Sequence, residues 1–111
     1  MEARDYIEQQ DAIRQTVLQQ IRALDPWALM AYGAEGYQTL PESDMYQGGV
    51  SFRVNGLVYV GLVEIALMWN DTYRIRTFGQ NMRRQEDEVT EVYFDMLVEV
   101  LDRLVEGRTN D

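Results

Sequence analysis

Without a single cysteine, the chain can form no disulfide and offers neither a thiolate nucleophile nor a thiolate metal ligand. Histidine is absent too, which removes the commonest general base and the commonest neutral metal ligand. Any acid–base chemistry would fall to carboxylates, tyrosine and arginine. Lysine is also missing, so all 10 basic residues are arginine, set against 19 acidic residues for a formal charge of −9. A field of that sign opposes nonspecific binding to nucleic acid and to anionic membranes. No apolar run approaches a membrane span, and the opening MEARDYIEQQ is charged, so the expectation is a cytoplasmic chain with no membrane segment. No spacing of residues names a reaction, a metal or a phosphate loop. The chain therefore reads as no enzyme, with no cofactor and no metal.

What is present is the composition of a folded protein: 46% hydrophobic residues, seven tyrosines and two tryptophans in 111 residues, enough for one ordinary core and one domain over 1–111. Residues 3–24 carry apolar side chains at helical spacing, among them Ile7, Ile13, Val17, Leu18, Ile21 and Leu24. Gln10 and Arg14 interrupt that face, which leaves it loosely covered there or gives Arg14 a carboxylate partner. Asp25-Pro26 stops the helix. Residues 26–32 fit a short helix, with Pro26 at its start and Gly33 at its end, and fit a buried strand equally well. From Gly33 to Gly49 the chain is irregular, with a candidate edge strand at Tyr37–Leu40.

VSFRVNGLVYVGLVEIALMW is the clearest local signal. Its Asn55-Gly56 predicts a two-residue hairpin turn of type I′, pairing Val54 with Leu57 and Phe52 with Tyr59, and a second strand from Leu57 to about Trp69. A following turn of odd length places Tyr73 and Ile75 on the face of Phe52, Tyr59, Val63, Ile65, Leu67 and Trp69, with Trp69 and Tyr73 as a cross-strand pair. The opposite face then carries Arg53, Glu64, Arg74 and Arg76, mixed with Val58, Val60, Leu62 and Met68. A strand apolar on both faces must be covered twice, so those four apolar residues are candidates for a subunit interface or for cover by another segment.

Residues 84–106 read as a long second helix, with apolar residues over most of its girth and carboxylates at Glu88, Glu91, Asp95, Glu99, Asp102 and Glu106 along the remaining side. The expected architecture is α+β: an N-terminal helix, an antiparallel β-meander of three to five strands and a C-terminal helix, with both long helices mainly on one sheet face. The expected function is a small acidic protein–protein interaction module, homodimeric, with candidate contact residues Arg53, Arg74, Arg76, Val58, Val60, Met68, Glu91, Asp95 and Asp102. Two other readings stay open. One is a nucleic-acid or phosphate binder using the arginine face, with Arg83 and Arg84 adding to it. The other is an acidic DNA mimic using the carboxylate stripe.

Overall fold

A computed structural model describes residues 3–79 and 84–107, with side chains from Ile7 onward. The chain begins with helix α1, Ala3–Leu24, as the apolar spacing predicts. Val17, Leu18 and Ile21 supply its buried face, whereas Ile7 and Leu24 stay exposed. Gln10 is buried, its Oε1 accepting the Glu42 backbone N–H at 2.7 Å while its Nε2 has no partner among the described residues, and Arg14 reaches Asp11 at 3.8 Å.

Within residues 26–32 the helical alternative holds for Ala28–Ala31, with Pro26 ahead of the helix and not its first residue. Asp25 Oδ1 accepts the Trp27 N–H at 2.9 Å, and helix α2 follows at Ala28–Ala31. Gly33, at φ +65°, ends it, with the Gly33 N–H bonded to the Met30 carbonyl and the Ala34 N–H to that of Leu29.

Five strands then form one antiparallel sheet in sequence order: β1 Glu35–Leu40, β2 Tyr46–Asn55, β3 Val60–Met68, β4 Tyr73–Phe78 and β5 Gln85–Val92. The irregular stretch expected from Gly33 to Gly49 thus shrinks to the β1–β2 turn. α1 crosses β2 on the face formed by Val50, Phe52, Val54, Val63, Ile65, Tyr73 and Ile75, all buried.

The β2–β3 hairpin is not closed by a two-residue turn. Asn55 pairs with Val60 and Phe52 with Val63, so Gly56–Tyr59 form the loop, and β3 is shorter than expected at both ends. A type I′ turn needs positive φ at both central residues, and neither Asn55 nor Gly56 has it. Gly56 serves a close approach instead. A Cβ there would run into the Val105 side chain and carbonyl. The register moves by an even number of residues, which leaves every β2 and β3 side chain on its expected face.

Between β3 and β4, Met68 N–H donates to Thr72 O at 2.8 Å, leaving a three-residue loop with Asp71 at φ +66°. The odd length holds, so Tyr73 and Ile75 face the core. The partner of Tyr73 is Leu67, however, and Trp69 lies beyond the strand, 54% exposed.

The largest correction concerns residues 84–106. Gln85–Val92 is an edge strand, a tight helical turn follows at Phe94–Met96, and helix α3 is only Leu97–Leu101, continuing as a widened turn through Glu106. Glu91 has φ +55° and sits in a bulge where β5 spends three residues, Val89 to Val92, against two in β4, Ile75 to Tyr73. Val89 and Val92 therefore share the core face at a separation of three. α3 packs with α1 over the core face through Leu97, Leu101 and Val105.

Two outcomes test this arrangement. Trp27 and Trp69 are 67% and 54% exposed, so the tryptophan emission of the native monomer should already resemble that of the unfolded chain, and Trp69→Ala should cost about 1 kcal/mol or less by denaturant titration. Glu91→Gly should raise stability by about 0.5–1 kcal/mol by relieving a left-handed conformation in a residue with a Cβ.

Candidate functional site

The sheet face turned away from the helices carries Arg53 from β2, Leu62, Glu64, Ala66 and Met68 from β3, and Arg74 and Arg76 from β4. Strand alternation alone puts them on one side. At its centre two guanidinium groups share one carboxylate. Glu64 Oε1 accepts Arg76 Nε at 2.9 Å and Nη2 at 2.6 Å, while Arg74 Nη2 stands 3.6 Å from the same oxygen. Of the arginines on this face, Arg76 and Arg74 engage Glu64 and Arg53 does not. Asp71 Oδ1 accepts a hydrogen bond from Gln47 Nε2 at 2.9 Å.

Long side chains lie flat across this face and cover it. Arg74 stacks on the Tyr46 ring and Arg76 on the Phe78 ring, each 5.5 Å from the centroid. Ala66 beneath them is fully buried and Arg74 is only 6% exposed. Arg74 Nε is buried with no acceptor among the described residues. A nearly buried cation thus lacks a carboxylate of its own, and its one charge partner is more closely engaged by Arg76.

The remaining candidates fall in different places. Met68 is half-buried at the far end of β3, and Leu62 is half-buried nearer its start. Val60 is exposed beside Arg53, and Val58 is exposed on the β2–β3 loop, which leaves these two apolar residues without the cover expected for them. Arg53 is exposed and has no ion pair among the described residues, while Arg84 is exposed at the entry to β5. Arg83 lies outside the described residues.

The carboxylate stripe does not exist as a helix face. Glu88 and Glu91 belong to strand β5, and Asp95 to the turn after it. Asp102 accepts the hydrogen bond of the Tyr32 hydroxyl, and Glu106 is buried with Oε2 accepting the Leu57 N–H at 2.9 Å. These last two carboxylates hold the C-terminal helix to α2 and to the β2–β3 loop. The sequence signal for such roles was slight: acids facing inward from a short helix have the same spacing as acids facing water.

Tyrosine is the residue type whose chemistry the fold changes most. Burial pushes the Tyr73 hydroxyl up from 10.0 to about 12, and the group donates to Gln20. Tyr32 is pushed up as well, first by burial and then by the hydrogen bond and charge of Asp102. Among the described residues no group of three or more Asp and Glu could hold a metal ion, and no helix is long and apolar enough to cross a membrane. Comparison with protein-family models, with curated proteins and with solved structures gives no match.

Two measurements follow from this geometry. Glu64→Gln strands two guanidiniums and should cost about 3–5 kcal/mol, whereas Arg74→Met leaves a matched Arg76–Glu64 pair and should be near neutral in denaturant unfolding. The folded-state value of Tyr73 lies above its unfolded one, so its contribution is complete below pH 10 and disappears as pH rises toward about 12. Unfolding free energy should fall over that interval, less steeply in Tyr73→Phe.

Proposed function

We propose that this protein is a cytoplasmic, non-catalytic protein-interaction module that pairs with a second copy of itself through the sheet face opposite the helices. The observation that carries the reading is Arg74, a cation nine-tenths buried whose nearest carboxylate is committed to Arg76. A buried charge calls for a partner, and a carboxylate delivered from outside would supply it. Glu88 is exposed on this same face, opposite Arg76 in β5. A twofold arrangement makes one patch serve both copies, so Glu88 of each copy answers the excess positive charge of the other. Half-buried Leu62, Met68, Phe78 and Tyr46 give the contact its apolar part. The guanidiniums already lie flat on aromatic rings, so little side-chain freedom is lost on association.

The phosphate-binding reading draws less support, because Arg76 directs two of its nitrogens to Glu64 and Arg74 is mostly covered. The mimicry reading needed a regular helical stripe, and the carboxylates are instead divided between a strand, a turn and two internal hydrogen bonds.

Sedimentation velocity at tens of micromolar should show a dimer. Met68→Arg and Glu88→Arg should each give a monomer with an unchanged circular dichroism spectrum. A parent that sediments as a monomer at that concentration would remove the dimer reading, and dimers unaffected by both substitutions would place the contact elsewhere.

A further inference from the structure

At the β1 side of the sheet, Arg53 stands between two cavities. The larger, about 280 Å³, is lined by Gly33, Glu35, Arg53, Asn55, Val60 and Gly61 among others. The smaller, about 120 Å³, is lined by Gly36, Gln38, Arg53 and Leu62. The chain builds this place with two devices. Asn55 N–H donates to the Tyr32 carbonyl at 2.8 Å, which ties the end of β2 to the end of α2 and sets Gly33 against Asn55. The register shift after Glu35 brings Gly36 to φ +66°, and the Arg53 guanidinium lies over that residue, where a Cβ would stand 3.1 Å from Nη2. Glu35 and Arg53 are register partners, yet they form no ion pair.

We propose that this cleft binds a small monocarboxylic acid, its carboxylate held by the Arg53 guanidinium and its short apolar body lying on Val60. The planar guanidinium fork matches a carboxylate with two parallel hydrogen bonds. At about 280 Å³ the cavity stands at the small end of ligand pockets, about 300–1,000 Å³, which suits a small ligand. The overall negative charge of the chain selects a single charge over a multiply charged phosphate. The site lies toward the β1 edge of the same sheet face, and Leu62, which lines its smaller cavity, also belongs to the proposed contact between copies.

The test is a titration of the ¹⁵N-labelled full chain, followed by backbone amide shifts, with 3-methylbutanoate, with its neutral amide 3-methylbutanamide, and with inorganic phosphate, all at one ionic strength. The acid should give saturable shifts centred on Gly33, Asn55 and Gly61. The amide and phosphate should each bind at least tenfold more weakly. Arg53→Gln should abolish the response while keeping the dispersed spectrum of the fold, and Arg53→Lys should weaken it, since charge is kept and the fork is lost. Equal binding of acid and amide, acid-induced shifts spread over all the arginines, an Arg53→Gln variant that binds as the parent does, or no saturation at all would each overturn the assignment.

Discussion

The helical turn through Val105 and Glu106 closes on a loop near the middle of the chain, and much of the structure depends on that contact. Val58 N–H donates to the Val105 carbonyl at 3.1 Å, Leu57 N–H to the buried Glu106 carboxylate, and Gly56 lets the Val105 backbone come close. Tyr32 adds a third tie, from α2 to Asp102. A backbone amide that meets a buried carboxylate is a charge-assisted bond, among the stronger ones available to a fold. The contact explains why the β2–β3 loop is four residues long and not two. A tight turn would end the hairpin short of the helix and leave Glu106 buried without its donor.

The two faces of the sheet solve the same problem by different means. Facing the helices, aliphatic and aromatic side chains interlock around Phe52, Ile65 and Tyr73 in the ordinary way. The opposite face has no helix over it, yet Ala66 is fully buried there because arginine stems and the Tyr46 ring lie across it. Long amphipathic side chains cover apolar surface while keeping charge at the rim. That solution leaves a charge imbalance at Arg74, and the proposed pairing rests on this imbalance more than on exposed apolar area.

How far the sequence reveals this depends on which periodicity is distinctive. α1 is legible because its apolar positions repeat over six turns and Asp25-Pro26 punctuates the end. The faces of β2, β3 and β4 are legible even though the β2–β3 loop has four residues and not two and the β3–β4 pairing is displaced by two, since an even slip in register exchanges no side chain between faces. Residues 85–92 defeat the reading for a specific reason. A strand normally returns a side chain to the same face every second residue, but the bulge at Glu91 separates Val89 and Val92 by three, which is helical spacing. With acids spaced three and four apart beyond it, a strand and a short helix together imitate one long amphipathic helix. Of the candidate residues, Glu64, Arg74 and Arg76 come together as neighbours on one face, because alternation alone brings them there. The isolation of Arg53 and the inward turn of Asp102 and Glu106 depend on long-range packing that no local pattern encodes.

The irregularities at the sheet edges also bear on where association occurs. An open edge invites another strand, and proteins discourage this with bulges and charge. β1 breaks register between Glu35 and Gln38, and β5 breaks it against β4 in two places while exposing Glu86, Asp87, Glu88 and Glu91. Two copies meeting edge to edge along β5 would bring like charges together along an irregular ladder. The proposed contact through the face would avoid both penalties and bring the acidic strand of one copy toward the arginines of the other. The carboxylates on β5 would thus oppose edge-to-edge pairing by the same charge that would favour the proposed face-to-face one.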